Sequence, residues 1–238
     1  MPLLFLSCDI IEGGGSDDPS SSSGKTESQK NGIVTFYITY NEDSVAYYTP
    51  ELENGWYKCA VSENKLGEFP PQSAAKITHN GKTIRVLVTD LCPNAGNSEW
   101  TSKSNYFFDL AENAFAALDD KVKGHLDDVS IQRIAYETNK NIKFAVKDGS
   151  VPTWLGGRFY NMRYPLAKVE YSSNGNTFKE MEKLDGNKNN WWVIKSGNDL
   201  FSNLQFRLTD VYGNTITCNA IGNLSVGGTY DLGKNFSY

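Results

Sequence analysis

Short runs of alternating hydrophobic and polar residues follow one another along the chain from residue 32 onward. A period of two places successive side chains on opposite faces of a β-strand. Four such runs, rich in β-branched and aromatic residues, are IVTFYITY (33–40), KTIRVLVTDL (82–91), VSIQRIAYE (129–137) and NIKFAVKDG (141–149). Turn residues such as HNGK at 79–82 separate them. The pattern predicts a region made mainly of β-strands.

One segment of this region has a helical period instead. The apolar residues in and just before AENAFAALDDKV that share one helical face are Leu110, Ala114, Ala117, Leu118 and Val122. A single helix among strands predicts a β-barrel with a helical insertion over residues 110–122.

The second part of the chain, from about residue 150, has the pattern of β-hairpins. Its alternating runs are RFYNMRYPLAKVEY, NNWWVIKS, LQFRLTDVYGNTITCNAI and the terminal GGTYDL. The turn signals SSNGN and VYGNT lie between strands of roughly 6 to 9 residues, a spacing typical of a small β-sandwich. The chain is therefore predicted to be mostly β, with a barrel followed by a sandwich.

Composition agrees with this fold and excludes some classes of function. The 238 residues are 39% hydrophobic and 13% aromatic, with 21 Gly and 8 Pro, which suits strands and turns. The net charge of −5 leaves no basic excess to neutralise phosphates, so nucleic acid is not an expected partner. His79 and His125 have no Cys or His at metal-binding spacing, and no Gly-rich phosphate loop follows a strand. We expect neither a metal nor another cofactor.

The first residues have the pattern of a bacterial lipoprotein signal. The apolar run MPLLFLS precedes Cys8, and residues 9–30 are rich in Gly, Ser and Asp. This arrangement predicts a lipidated Cys8, a flexible tether over 9–30 and export to the cell surface or the extracellular space. The alternative is a disordered N-terminus with an unmodified cysteine. No later segment approaches the roughly 20 apolar residues that span a bilayer, so a lipid anchor is the expected route to a membrane.

The remaining cysteines are odd in number. With Cys8 set aside they are Cys59, Cys92 and Cys218. In an exported protein two cysteines are expected to form a disulfide and the third to stay buried. We expect the pair to be Cys59 with Cys92.

Six motifs follow one another over residues 32–236: GIVTFY, VLVTDLCP, FFDLAENAF, a Lys-x-Gly-Ser…Trp segment, RFYNMRYPLAKVEY and LQFRLTDVYGN. Their order resembles that of the microbial expansins. The resemblance implies a six-stranded double-psi β-barrel, related to family-45 glycoside hydrolases, over residues 31–148. It implies an immunoglobulin-like, cellulose-binding β-sandwich over residues 149–238. The implied function is binding and loosening of cellulose and related β-glucans of plant cell walls, without hydrolysis, by a monomer.

The resemblance also assigns three residues to a shallow groove on the barrel. Thr35 matches the family's threonine on the first strand, Asp90 the aspartate of the VTDL motif, and Asp109 the aspartate before the helix, which the family requires for loosening. Each aspartate also has a purely structural interpretation. Asp90 ends a strand and could bond the amides of the following turn, and Asp109 could cap the helix that follows it.

One aromatic position of the family's groove is not aromatic here. Cys92 stands two residues after Asp90, where the family usually has an aromatic ring for stacking on a sugar. Tyr37, Trp100 and Tyr106 are the residues that could supply a ring instead.

The second domain is expected to bind glucan on an aromatic platform. A flat aromatic ring buries the C–H face of a pyranose while the sugar hydroxyls stay in water. The resemblance places the family's lysine at Lys147 and one platform tryptophan at Trp154, while the neighbouring platform position is Thr153. A third ring comes from Trp191 or Trp192. Alternation turns only one of them outward, and we expect it to be Trp191, with Trp192 in the core.

The residues needed for hydrolysis are incomplete. Asp109, beside the aromatic residues 106–108, suits a general acid because burial raises the pKa of a carboxyl. The related hydrolases carry the base at the end of a Thr-x-Tyr-x-Asp pattern, which ends here in Thr39. A threonine hydroxyl is not a general base at neutral pH without an activator, so Glu42 or Asp43 would have to replace it. The expected protein is thus not an enzyme, and the alternatives are a β-1,4-endoglucanase and a non-catalytic carbohydrate-binding surface lipoprotein.

Overall fold

The computed structural model of the protein describes residues 25–38, 51–103, 106–184 and 189–238. Within these ranges the chain is built mainly of strands, in one closed barrel and two further sheets. The predicted mostly-β fold, a barrel followed by a β-sandwich, is confirmed. Some residues discussed above lie outside the described ranges: Cys8, Thr39, Glu42 and Asp43, with most of the tether.

Six strands close the barrel in the spatial order β1-β5-β2-β4-β3-β6. β1 pairs with β5 and β2 with β4 in parallel, while the other neighbours are antiparallel. The strands are β1 Lys30–Tyr37, β2 Trp56–Ser62, β3 Ala74–His79, β4 Lys82–Cys92, β5 Tyr106–Ala111 and β6 Leu126–Ile134.

Alternation along β1 and β5 gives the barrel two differently composed faces. Val34, Phe108 and Leu110 belong to the barrel core, and all three are fully buried. Their sequence neighbours Ile33 and Phe107 belong to a second, smaller cluster. Because side chains alternate between faces, the residues between the core positions are displayed on the outer side of these strands, where the candidate site lies.

The helix predicted over residues 110–122 is shorter than expected. It is α2, Glu112–Leu118, preceded along the chain by the short α1, Ser98–Thr101. Leu110 lies in β5, and Val122 is 92% exposed in a 3-10 turn, Lys121–Lys123. In the part of the chain that the structure describes, no helix has both the length and the apolar character to cross a membrane.

Ten further strands form the two sheets of the sandwich. One has the order β10-β9-β13-β14, with β15 also pairing with β13, and the other has the order β11-β12-β8-β7-β16. The strands are β7 Lys143–Val146, β8 Leu155–Tyr160, β9 Leu166–Ser172, β10 Lys179–Glu180, β11 Glu182–Lys183, β12 Trp192–Ile194, β13 Ser202–Asp210, β14 Thr215–Thr217, β15 Ile221–Asn223 and β16 Thr229–Asp231.

The core of the sandwich lies between its two sheets. Phe144 and Phe159 of one sheet contact Phe206 of the other, with ring centroids 4.6 and 5.2 Å apart. β7 pairs with β8 and β16, so it belongs to the sandwich. The boundary predicted near residue 148 is therefore one strand too late, because the run at 141–149 is the first strand of the second unit and not the last of the first.

A single arginine joins the segment after the barrel to the end of the chain. The Arg163 guanidinium donates hydrogen bonds to the carbonyl oxygens of Thr138, at 3.1 and 3.2 Å, and of Phe236, at 2.6 Å. It also lies 4.0 Å from the centroid of the Tyr238 ring. The Arg163 carbonyl in turn accepts a bond from the backbone amide of Tyr136 at 2.8 Å. These contacts fix the linker, which is the segment between β6 and β7, to the sandwich.

The disulfide predicted between Cys59 and Cys92 is wrong, since both are free and buried, as is Cys218. Cys92 lies opposite Ser62 on the neighbouring strand, three residues beyond Cys59. That offset is about 10 Å along a strand, more than the roughly 4.4–6.8 Å between the Cα atoms of a disulfide. Cys59 packs in the barrel core and Cys92 in the smaller outer cluster.

Candidate functional site

Thr35 and Asp109 are brought together by the parallel pairing of β1 with β5. They are register partners, and the Thr35 hydroxyl donates a hydrogen bond to Oδ1 of Asp109 at 2.6 Å. Asp109 lies within β5, and helix α2 has Ala111 as its N-cap. The interpretation of Asp109 as a helix cap is therefore excluded, and its carboxyl is held by a side chain of the groove.

Asp90 lies in the same row of residues across the sheet. Ala60 of β2 is the register partner of Asp109 on one side and of Asp90 on the other. Because the residue between them is alanine, only a methyl group separates the two carboxyl side chains. Oδ1 of Asp90 accepts a bond from the amide of Leu91 at 2.8 Å. Asp90 therefore bonds an amide of its own strand, β4, and not one of a following turn, and it lies beside Asp109 across Ala60.

The surroundings of Asp109 favour its protonated form. Burial raises the pKa of its carboxyl, the hydrogen bond from Thr35 opposes that shift, and the negative charge of Asp90 adds to it. Burial and both aspartates also raise the pKa of the Cys92 thiol to about 12. A half-buried carboxyl that stays neutral more readily than usual can donate a hydrogen bond to an oxygen of a ligand.

Two of the aromatic rings that could replace the one missing at Cys92 lie beside this cysteine. Tyr37 and Trp100 pack against the outer cluster that contains Cys92 and Phe107. The Trp100 ring stacks on Phe107 with centroids 6.2 Å apart. The Tyr37 hydroxyl is buried with no hydrogen-bond partner among the described residues, and burial followed by the nearby Cys59, Asp90 and Asp109 raises its pKa. The side chain of Tyr106, the third alternative, lies outside what the structure describes.

A second group of predicted residues lies on the outer face of the sandwich sheet that contains β8. Trp154 is partly exposed, and its ring covers Gly156. A Cβ atom at Gly156 would come within 2.9 Å of Cη2 of Trp154 and 3.2 Å of Cβ of Lys147. The absence of a side chain at Gly156 is what lets the indole lie on the strand. A glycine inside a strand is the sequence signal for such a close approach.

Trp191 and Trp192 point to opposite sides of the same sheet. Trp192 is 4% exposed and belongs to the sandwich core, so its assignment as a glucan-binding residue is wrong. Trp191 is partly exposed, with the Arg158 guanidinium 4.4 Å and the Lys147 ammonium 5.4 Å from its ring centroid. Sequence reasoning missed Arg158. Lys147 has its Cβ beside Gly156, beneath the Trp154 ring, and its ammonium near the Trp191 ring. It thus connects the two partly exposed indoles, and we call the surface formed by Trp154 and Trp191 the platform.

The chemistry available in these two places is hydrogen bonding and stacking. Among the described residues, no group of three His, Cys, Asp or Glu side chains is arranged to hold a metal ion. The barrel offers a carboxyl whose pKa is raised, a second carboxyl and a threonine hydroxyl. The platform offers two indole faces and two cations. Both sets are typical of sites that contact the hydroxyls and apolar faces of sugars.

The fold is that of a solved expansin. A crystal structure of a Clavibacter michiganensis expansin mutant in complex with cellohexaose superposes with a TM-score of 0.71 at 21% identity, over 87% of this chain and 98% of that one. A structure of the same expansin without ligand gives 0.72. The molecule thus has the fold of a double-psi β-barrel followed by a β-sandwich.

Sequence comparison gives the same result. Expansin-like protein 3 of Dictyostelium discoideum is 30% identical over 160 residues, 65% of this chain and 47% of that protein. Expansin-YoaJ of Bacillus subtilis is 29% identical over 166 residues, 70% of this chain and 61% of that protein. The chain thus spans about half to three fifths of these relatives. No protein-family model matches the chain. By sequence the chain is similar to expansin-like proteins, and its fold is that of a solved expansin.

Proposed function

We propose that the protein binds cellulose and related β-glucans through its sandwich and loosens their packing through its barrel, without cutting the chains. The observation that carries the proposal is the pairing of an exposed indole platform with a separate groove whose carboxyl favours the protonated state. The platform holds the polymer by stacking. In the groove, neutral Asp109 donates a hydrogen bond to a glucan oxygen and competes with the bonds between neighbouring chains. The cellohexaose complex of the similar expansin supports this choice of ligand.

Replacing Trp154 by Ala is expected to weaken adsorption to insoluble cellulose about fivefold to tenfold, since one stacked ring contributes on the order of 1 kcal/mol. Pull-down isotherms on microcrystalline cellulose measure this. Phe178→Ala is the matched control, because Phe178 is also partly exposed beneath an arginine, Arg207, but lies beside the opposite sheet. Equal losses in the two variants, or none in Trp154→Ala, would exclude the platform as the main binding surface.

Hydrolysis is a second candidate function, favoured by the two carboxyls that flank Ala60. Two inter-strand spacings put the Cα atoms of Asp90 and Asp109 roughly 9–10 Å apart, and the carboxyl groups of an inverting pair lie roughly 6.5–9.5 Å apart. However, the amide of Leu91 already donates to Asp90, and Thr39 stands where the related hydrolases have their base. We expect no release of reducing ends from amorphous cellulose or mixed-linkage glucan. Sustained turnover that is lost in both Asp109→Asn and Asp90→Asn would establish the hydrolase instead.

We also propose that the protein acts outside the cell, anchored through Cys8, because an apolar run and a polar tether flank that cysteine in the sequence. Wild-type protein expressed in a bacterium is expected to enter the detergent phase on Triton X-114 partitioning, and Cys8→Ser to stay in the aqueous phase. Cys218→Ser, which changes a buried cysteine of the sandwich, is the control. The same aqueous fraction for all three proteins would refute the anchor.

A further inference from the structure

A polar cavity of about 680 Å³ lies where the linker meets the sandwich. Its walls come from three places: Glu51 before β2, the linker segment 139–141, and the outer face of three adjacent sandwich strands. On that face Lys143 of β7 is the register partner of both Asp231 of β16 and Tyr160 of β8. Its volume is that of a typical small-ligand pocket, roughly 300–1,000 Å³, and such pockets often form where two units of a fold meet.

The cavity and the aromatic platform occupy one face of the same sheet. Gly156, beneath the Trp154 ring, Arg158, beside the Trp191 ring, and Tyr160, in the cavity wall, alternate along β8. Residues two apart on a strand point to the same side. The distance from Trp154 to Tyr160 along the strand is about 20 Å. A glucan that lies on the platform along β8 therefore leads to the cavity.

The charges of the cavity indicate an uncharged ligand. Its two lysines each lie near an acid: the Lys140 ammonium is 3.8 Å from Glu51 and 3.4 Å from Glu53, and the Lys143 ammonium is 3.9 Å from Asp231. Neutralised pairs give no net attraction for an anion.

Uncharged polar groups also line the cavity. They include the amides of Asn139, Asn141 and Asn161 and the hydroxyl of Thr229. Amides and paired ions offer donors and acceptors together, which is what sugar hydroxyls require.

We propose that this junction cavity is an additional binding site for a neutral saccharide, which receives the part of a β-glucan that extends beyond the aromatic platform. The proposal rests on the proposed function, because the platform is what delivers the chain. Tyr160 supplies the ring at the cavity wall, and the asparagines and the Lys143–Asp231 pair hydrogen-bond the hydroxyls. The cavity would thereby engage the glucan at the joint between the two units.

The test is a titration of the ¹⁵N-labelled chain with cellohexaose, followed by NMR. The expected result is a saturable shift of the backbone amides of Asn139, Asn141 and Thr229 together with the indole signal of Trp154. Thr229→Trp, which fills the cavity from an exposed strand position, should raise the Kd for cellohexaose about fivefold, the loss of one or two hydrogen bonds. Thr215→Trp, the same change at an exposed position of the opposite sheet, should stay within about twofold.

The outcomes separate this site from the proposed function. Shifts at the platform without shifts at the cavity, or equal affinities of the two tryptophan variants, would overturn the cavity site and leave the platform intact. No shift at either place would overturn both. A tri-galacturonate that shifts the cavity amides more than cellohexaose does would refute the neutral ligand. Thermal unfolding of both Thr→Trp variants verifies that they are folded. If Thr229→Trp is not folded, the affinity test is repeated with Lys143→Ala.

Discussion

Replacing Asp109 by Ala should abolish the weakening of cellulose paper or wall strips and leave adsorption to cellulose within about twofold of the wild type, because groups that share no partners act independently. Alanine keeps the backbone of β5 but removes the neutral carboxyl that donates a hydrogen bond to the glucan. Asparagine keeps a donor in its side-chain amide and can still accept the bond from Thr35, so Asp109→Asn should retain part of the loosening. Strip extension under load and pull-down isotherms are the two measurements.

The pH dependence of loosening is a second measurement of the role of Asp109. Burial and Asp90 raise the pKa of this carboxyl, so its neutral form persists to higher pH than that of an ordinary aspartate. Loosening should be greatest in acid and fall as the pH rises through the raised pKa. The folded protein also binds this proton more tightly than the unfolded chain, so ionised Asp109 lowers stability above about pH 4. Asp109→Asn should therefore be no less stable than the wild type at pH 7.

Two results would contradict this role for Asp109. Loss of cellulose adsorption in Asp109→Ala, with adsorption kept in Trp154→Ala, would place the main glucan site in the barrel. Full loosening in a folded Asp109→Ala protein would show that the carboxyl has no part in it. Thr35→Val serves as the matched control, since it removes the hydroxyl that bonds Asp109 and should reduce loosening without abolishing it.

Adjacent tryptophans should give opposite results when each is replaced by Ala. Trp192→Ala is expected to lower the free energy of unfolding by about 3–5 kcal/mol, as for other buried aromatic residues, because Trp192 fills the sandwich core. Trp191→Ala should change it by less than about 1 kcal/mol, the scale of an exposed cation–π contact. However, it should weaken cellulose adsorption about fivefold. Urea unfolding followed by pull-down separates the two effects.

The interpretation would be wrong if the two tryptophan variants exchanged their effects. A stable Trp192→Ala protein with weakened adsorption would mean that Trp192 faces the glucan. The prediction depends only on strand alternation, since β12 begins at Trp192 and carries Trp192 and Ile194 on its core side. Arg158→Ala offers a further check of the role of Trp191, because it removes the guanidinium beside the Trp191 ring and leaves Trp192 in place.

Much of the fold could be predicted from the sequence because alternation is a local property. β1, β4 and β6 follow from their own residues, and so does the inward side of Trp192. The ends of elements were less predictable. Leu110 fits a helical face as well as it fits β5, and its pairing with Phe36 of β1 and Cys59 of β2 decides for the strand. Val122 fits the same helical face, yet the chain turns at Asp119 and leaves it in water.

The parts of the site that depend on pairing between distant strands could not be predicted from local pattern. The register of β2 with β4 separates Cys59 from Cys92, and the sequence contains no local sign of that register. Ala60, which lies between the two aspartates, has no distinguishing feature in the sequence. The resemblance supplied Thr35, Asp90 and Asp109 as a group, and the parallel pairing of β1 with β5 supplied the reason for the contact between Thr35 and Asp109.

The contacts of Arg163 have a mechanical consequence. A joint held by three hydrogen bonds from one guanidinium, to the linker and to the last residues of the chain, resists rotation far better than a bare peptide connection. A load applied to a polymer gripped by the sandwich would then pass into the barrel as torque. Under the proposed function, force on a glucan bound at the indoles would then reach Asp109 through this joint.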